Sequence, residues 1–106
     1  MQTIGTHNYF IYIITNKYKS VLYTGVTNNL KRRLYEHLTD SNGEKSTFAG
    51  KYNCVHLVYW ERFQYVEHAI AREKQIKGWS RKKKDDLINE FNPTWEFLNK
   101  DVEEGI

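Results

Sequence analysis

Cysteine, proline and methionine each occur only once among the 106 residues. With Cys54 as the only cysteine, no disulfide can form within the chain, and a zinc site with C-x-x-C spacing is excluded. No apolar run approaches the ~20 residues that a membrane-spanning helix needs, and the first residues contain no basic leader followed by an apolar stretch. We therefore expect a cytoplasmic protein with no attachment to a membrane.

Aromatic residues, in contrast, are abundant. Eight Tyr, five Phe and three Trp make up 15% of the chain, which is too many for a disordered protein even at a mean hydropathy of -0.75. The length and the 40% apolar content allow one hydrophobic core. We expect one domain over residues 1–98 and an acidic C-terminal tail over residues 99–106.

The net charge of +3 is distributed unevenly. Residues 96–106 hold four acids and one lysine, whereas residues 72–84 hold seven basic residues and one acid. The basic run predicts a region that faces a polyanion, and a solvated helix face is the alternative that remains open.

Three segments have the composition of β-strands. Residues 9–15 form a nearly unbroken β-branched and aromatic run, which is typical of a strand covered on both faces, so we expect it to be central. Residues 21–26 follow after a short connection, which predicts an antiparallel hairpin. Gly25 near its end indicates a bulge or a close approach by another backbone. Residues 55–61 form the third predicted strand.

A helix is predicted over residues 30–38, after capping residues at 27–29. At about 100° per residue, its buried stripe comprises Leu30, Leu34 and Leu38. Arg33 and His37 lie one turn apart at the margin of this stripe. Their side chains should therefore be held at the edge of the core.

The second half of the chain adds two more predicted helices. Residues 39–52 have no periodicity and indicate a long surface loop. Helical period returns over residues 65–79, and Ser80 can cap a helix over residues 81–91 that ends before a proline. The pattern predicts a single small mixed α/β domain.

Glu73 falls near the middle of the apolar arc of its helix. A buried unpaired carboxylate costs several kcal/mol, so it needs a partner. One explanation is an ion pair with a nearby Lys or Arg. The other is a divalent metal site, since Mg²⁺ often takes only one or two protein carboxylates and completes its shell with water and phosphate.

In combination, these residues resemble the GIY-YIG nucleases, especially small single-domain members related to the N-terminal nuclease module of the excinuclease C subunit. The two name-giving tripeptides correspond to residues 10–12, Phe-Ile-Tyr, and 23–25, Tyr-Thr-Gly. The match continues through Arg33 and His37 to Glu73, and it covers about residues 9–98. Phe replaces the Gly of the first tripeptide and Thr the Ile of the second, and neither change removes a reactive group.

The resemblance implies an α+β fold, with a three-stranded antiparallel sheet flanked by helices. It implies that Tyr12 is the general base or orients water, and that Tyr23 is a second phenol near the scissile phosphate. Arg33 would stabilise transition-state charge, and His37 would assist proton transfer. Glu73 would hold a single Mg²⁺ or Mn²⁺ ion.

The prediction for the nucleic-acid-binding surface is less specific than that for the catalytic residues. Its candidate residues are Arg32, Lys45, Lys51, Arg72, Lys74, Lys77, Arg81, Lys82, Lys83 and Lys84. Trp79, Tyr59 and Trp60 are candidates for base stacking if they are exposed. Some family members use a late asparagine near the site, and Asn89 and Asn92 are the two candidates for that role.

The leading hypothesis is an endonuclease that hydrolyses phosphodiester bonds in nucleic acid, with DNA favoured over RNA. The chain has no room for a separate sequence-reading domain, so specificity should be low or based on shape, as in repair or on branched structures. A non-catalytic nucleic-acid-binding module and an interaction protein are the alternatives. We expect a monomer rather than a stable oligomer.

Overall fold

Five helices surround three strands in the part of the chain that a computed structural model describes, residues 7–43 and 47–105. The elements in chain order are β1 (Tyr9–Thr15), β2 (Leu22–Thr27), α1 (Leu30–Asn42), α2 (Phe48–Lys51), β3 (His56–Phe63), α3 (Val66–Lys77), α4 (Arg81–Phe91) and α5 (Asn99–Glu103). No helix among these residues is long and apolar enough to cross a bilayer.

The strands form one antiparallel sheet in the order β2-β1-β3, as the sequence predicted. The central position of β1 is confirmed, and its residues Ile11 to Thr15 are fully or almost fully buried because helices cover both faces of the sheet. The pairing of β1 with β2 is regular through Gly25, so the predicted bulge at that residue is wrong. The register shift lies instead between β1 and β3, at Ile13 and Ile14.

Two layers of side chains fill the two faces of the sheet. The first layer packs Tyr12 and Ile14 of β1 against α1, α2 and α5. The second packs Ile11 and Ile13 against α3 and α4. The alternation of side chains along β1 thus places neighbouring residues in different layers.

Helix α1 begins where the sequence predicted, with the Asn29 side chain accepting a hydrogen bond from the Arg32 amide. Its buried face differs from the prediction. Leu38 is 45% exposed, and the face toward the sheet consists of Leu30, Leu34, His37 and Ser41. This face follows the i, i+4, i+7, i+11 spacing of a straight helix, which turns Leu38 away from the sheet.

The segment predicted as an acidic tail contains α5. Val102 is 5% exposed and belongs to the first core layer. The Asn99 side chain accepts from the Leu57 amide at 2.8 Å and donates to the Val55 carbonyl at 2.8 Å. A domain boundary after Leu98 therefore separates residues that pack together. The predicted loop over residues 39–52 likewise holds the end of α1 and the short helix α2.

Candidate active site

Two tyrosines from neighbouring strands meet on the first face of the sheet. Tyr12 lies directly opposite Gly25 in the β1–β2 ladder, and Tyr23 lies two residues before that glycine. A Cβ at Gly25 would stand 2.5 Å from the Tyr12 hydroxyl oxygen, so only glycine leaves room for the Tyr12 ring. The close approach expected at Gly25 thus comes from a side chain and not from another backbone.

Tyr12 and His37 form a buried pair. The Tyr12 hydroxyl lies 2.7 Å from His37 Nε2, and the two residues are 1% and 2% exposed. Burial and the neighbouring Arg33 charge lower the pKa of His37 to about 4, so its ring is neutral near pH 7. A neutral imidazole can accept the phenol proton in this hydrogen bond. Burial also raises the pKa of Tyr12 above its usual value, although Arg33 opposes the rise.

The burial of Tyr12 conflicts with its predicted direct contact with water. Tyr23 is partly exposed, and its ring lies 5.4 Å from the His37 ring and 6.4 Å from the Tyr12 ring. Tyr23 therefore stands between solvent and the Tyr12–His37 pair. Of the two phenols, it is the one that a substrate would meet first.

The Arg33 guanidinium faces both phenols. It interacts electrostatically with Tyr12 and Tyr23, and its side chain is 33% exposed. Arg33 Nη1 donates to Glu36 Oε1 at 3.1 Å, which fixes one edge of the guanidinium. Glu36 was absent from the predicted site, although its i+3 position relative to Arg33 was a signal for this contact.

Glu73 reaches the same region from α3. Its side chain is 17% exposed, and Oε2 lies 3.3 Å from Lys77 Nζ. The Lys77 ammonium lies 5.8 Å from the centre of the Tyr23 ring, and the Glu73 charge acts on the Tyr12 pKa. The inward position that the sequence predicted for Glu73 agrees with this burial.

A divalent cation held by one protein carboxylate fits the chemistry of this donor set. Among residues 7–43 and 47–105, no three His, Cys, Asp or Glu side chains converge as a metal cage. Mg²⁺ retains several waters and often binds through a single carboxylate together with substrate phosphate. Glu73, whose charge acts on Tyr12 and whose partner Lys77 lies against the Tyr23 ring, fits that mode of binding.

The basic residues of the predicted binding surface occupy different places. Arg72 donates to Glu61 at 3.0 Å on the second face of the sheet. Arg81 pairs with Asp85 at 2.8 Å and donates to the carbonyls of Lys19 and Ser20. These partners fix the two arginines in the fold, away from the phenols.

The remaining candidates divide into a group near the phenols and a group elsewhere. Lys77 is next to Tyr23, and Lys51 lies at the end of α2. Arg32 contacts Asn28 and Glu36 on α1, and Lys82 pairs with Asp86 on α4. The exposed or half-exposed residues Lys74, Lys83 and Lys84 lie on α3 and α4. Lys45 lies outside the described residues.

The predicted stacking residues are mostly engaged in packing. Tyr59 is 5% exposed and hydrogen-bonds to Glu61. Trp60 meets Phe10 edge-on, and the Arg72 and Lys83 side chains lie over the Trp79 ring. The aromatic residues beside the phenols are instead Phe48 and Tyr52. The sequence placed both in a polar loop, where an unexplained aromatic is the only signal of their role.

Both asparagine candidates have structural partners. The buried Asn92 donates to the carbonyls of Val58 and Glu96 and accepts from the Glu96 amide, so it closes the turn after α4. Asn89 accepts a hydrogen bond from the Trp95 indole. These bonds hold the two amides in the second-face layer and the turn that follows it.

Comparisons with known proteins agree with the geometry. The model of the GIY-YIG catalytic domain matches residues 8–86. A UPF0213 protein of Bacillus pumilus is 36% identical over 85 residues, which cover 80% of this chain and 83% of the relative. A UPF0213 protein of Staphylococcus saprophyticus is 38% identical over 82 residues, which cover 77% of this chain and 95% of the relative.

A solved structure has the same fold. The solution NMR structure of a UPF0213 protein from Bacillus halodurans is 29% identical and superposes with a TM-score of 0.54, over 88% of this chain and 95% of that one. The names of these relatives state no activity. The family match spans both tyrosines, Arg33, His37 and Glu73, and on this ground the chain belongs to the GIY-YIG family of nuclease domains.

Proposed function

We propose that this protein is a metal-dependent endonuclease that hydrolyses phosphodiester bonds in DNA. The observation that carries the proposal is the convergence of two phenols, one guanidinium, one neutral imidazole and one carboxylate at the edge of β2. Phosphodiester hydrolysis requires an activated water, positive charge at the phosphate and support for the leaving oxygen. Tyr23 can orient the water, Arg33 places positive charge at the phosphate, and a divalent cation held by Glu73 would offset negative charge on the leaving oxygen.

Tyr23 contacts the attacking water in this proposal. Because burial raises the pKa of Tyr12, that phenol stays protonated, and Tyr23 is left to orient the water or, as its phenolate, to accept the water's proton. The Arg33 guanidinium stabilises negative charge on the phenol and on the phosphate oxygens. Its fixed contact with Glu36 reduces the reorganisation needed when the phosphate binds.

The buried Tyr12–His37 pair lies behind Tyr23, and the neutral imidazole of His37 can accept a proton. The Arg33 charge is one cause of the low pKa of His37, after burial. A phosphate next to Arg33 would offset that charge and raise the pKa of His37, although burial, the larger cause, would still hold this pKa below its ordinary value. Substrate binding would thereby make His37 a better proton acceptor.

Glu73 would hold the divalent cation, Mg²⁺ or Mn²⁺, which would supply positive charge to the scissile phosphate. In its absence the ammonium of Lys77 neutralises the same carboxylate. Lys77 is therefore placed to contact a phosphate oxygen whenever Glu73 has another partner.

Cleavage of a panel of labelled nucleic acids tests the proposal. The panel holds linear duplex, single-stranded, flapped and four-way-branched DNA, with RNA for comparison, each with Mg²⁺, Mn²⁺ or a chelator. We expect cutting that needs the metal and that falls by about a hundredfold or more in Glu73→Gln. Glu67→Gln is the matched control because Glu67 is an exposed carboxylate on the same helix.

The outcomes separate the candidate functions. If Glu73→Gln cut as well as the unaltered protein, the assignment of Glu73 as the metal-binding residue would be wrong. Salt-sensitive DNA binding without cutting would favour the non-catalytic binding module. Activity on flapped or branched DNA would support a role in repair. We further propose a cytoplasmic monomer, and the buried free thiol of Cys54, which has no disulfide partner, is compatible with a reducing compartment.

A further inference from the structure

An aromatic surface adjoins the candidate active site. Phe48 of α2 stacks on the Tyr23 ring at 6.3 Å, and Tyr52 packs on Phe48 at 4.8 Å. Phe48 is 52% exposed and Tyr52 is 41% exposed. We call Phe48 and Tyr52 the aromatic platform. Its rings continue directly from the phenol that would meet the scissile phosphate.

The platform is anchored although its rings are exposed. Ala49, between the two aromatics, is completely buried in the first core layer. Its carbonyl accepts from the Cys54 amide at 2.8 Å, and the Thr47 side chain caps α2 by accepting from the Gly50 amide at 3.0 Å. A fixed backbone holds Phe48 and Tyr52 in place, so a ligand that stacks on them loses less entropy on binding.

One lysine lies against the platform, and a second, which pairs with Glu73, lies against the adjoining Tyr23 ring. The Lys51 ammonium stands 5.5 Å from the Tyr52 ring centre, and the Lys77 ammonium stands 5.8 Å from the Tyr23 ring centre. Aromatic rings flanked by lysines are the combination that binds single-stranded nucleic acid, since bases stack on the rings and phosphates contact the cations.

We propose that the aromatic platform binds an unpaired nucleobase of the DNA strand that is cut, next to the scissile phosphate. The inference rests on the proposed function and narrows its substrate class. A base inside a continuous duplex is stacked on both faces and cannot offer one to Phe48 or Tyr52. The platform therefore selects DNA that has unpaired nucleotides at the site of cutting.

A fluorescent base reports the stacking directly. A short single-stranded DNA carrying 2-aminopurine is titrated with protein in the presence of chelator, so that no cutting occurs. We expect quenching by the unaltered protein. In Phe48→Leu/Tyr52→Leu we expect the quenching to be lost and binding to weaken by about tenfold to a hundredfold, as for the loss of one or two stacked bases. Binding of a blunt duplex should change little.

Tyr65→Leu is the matched control, because Tyr65 is also 52% exposed but lies at the start of α3, outside the platform. It should keep the quenching and the affinity. Thermal unfolding of each variant checks that the fold is retained, which we expect because Phe48 and Tyr52 are exposed.

The outcomes for the platform and for hydrolysis are distinguishable. Quenching that needs Phe48 and Tyr52, in a protein that cuts nothing, would support the platform and overturn the proposed hydrolysis. Cutting of single-stranded DNA that is equal in the unaltered protein and the double variant, with equal quenching, would overturn the platform and leave hydrolysis standing. Absence of quenching by the unaltered protein would also overturn the platform.

Discussion

His37 shows how one buried residue joins stability to the site. Its ring occupies the buried face of α1 together with Leu30, Leu34 and Ser41, and the hydrogen bond with Tyr12 satisfies one of its ring nitrogens. His37 stays neutral near pH 7, since burial and the Arg33 charge disfavour its cation more than the carboxylates of Asp40 and Glu36 favour it. The cost of protonating it therefore appears in the free energy of unfolding.

We expect stability to fall with acid through His37. The pKa of His37 is lowered from 6.5 to about 4 by burial and by Arg33, so the unfolded chain binds this proton first. The stability present above pH 6.5 is then lost progressively as the pH falls from 6.5 to 4, by at most roughly 3 kcal/mol. Denaturant unfolding across this range measures it.

His37→Gln separates this effect from the titration of carboxylates. Glutamine keeps a hydrogen-bonding side chain at the position but has no proton to gain. The variant should lose less stability than the unaltered protein over the same pH interval. Parallel losses in the two proteins would show that His37 does not carry the effect.

At the scale of elements, α5 illustrates how tertiary contacts place a short helix. Its five residues are too few for a stable isolated helix, and their charge resembles that of a solvated tail. Asn99 nevertheless extends the backbone pairing of β3, and the Leu98 amide donates to the Leu57 carbonyl at 2.8 Å. Val102 then fills the first core layer.

Asn99→Ala should destabilise the whole domain. It removes two backbone hydrogen bonds, one to Leu57 of β3 and one to Val55 just before β3, and leaves the Leu57 amide and the Val55 carbonyl to find other partners. We expect a loss of about 1–3 kcal/mol in the free energy of unfolding, measured by urea titration. Asn42→Ala, at an exposed residue that ends α1, is the control and should change stability little. Equal, small effects would make residues 99–103 a dispensable tail.

The elements that the sequence predicted well have strong local signals. The bounds of β1 and α4 match the prediction, because one is a continuous β-branched and aromatic run and the other lies between the Ser80 cap and a proline. Helices α2 and α5 are too short to be recognised from periodicity, and apart from the Thr47 cap of α2 they depend on contacts with distant residues. The exposure of Leu38 also depends on how α1 is rotated against the sheet.

The same division holds for the candidate site. Spacing along α1 placed Arg33 and His37 together, helical periodicity pointed Glu73 inward, and the family resemblance supplied the two tyrosines and the metal-binding role of Glu73. The sequence could not predict that Tyr12 is buried while Tyr23 is partly exposed. The burial of Tyr12 depends on the space left by Gly25 and on the cover provided by His37. The platform also could not be predicted from the sequence, because Phe48 and Tyr23, whose rings stack, are 25 residues apart in the chain.

At the scale of the whole molecule, the basic run does not act as one patch. Arg72, Arg81 and Lys82 pair with carboxylates, and α4 lies on the second face of the sheet. The phenols, Arg33 and the platform lie on the first face. Lys51 and Lys77 lie beside these aromatic rings, outside the densest part of the basic run, and Lys77 pairs with Glu73 at 3.3 Å, so Lys51 is the better candidate for a phosphate contact in the proposed function.

The salt dependence of DNA binding should reveal which lysines contact phosphate. Each phosphate contact contributes about 0.7 to 0.9 to the slope of log affinity against log salt concentration. Lys51→Met should reduce the steepness of that slope by the contribution of roughly one phosphate contact, because Lys51 flanks the platform. Lys82→Met should leave it nearly unchanged, because Lys82 lies on α4 and already pairs with Asp86 at 3.0 Å. Fluorescence titrations of single-stranded DNA over a range of salt concentrations give both slopes. If Lys82→Met lowered the slope as much as Lys51→Met, the DNA would also contact α4. The proposal that DNA binds along the first face of the sheet, beside the platform, would then be wrong.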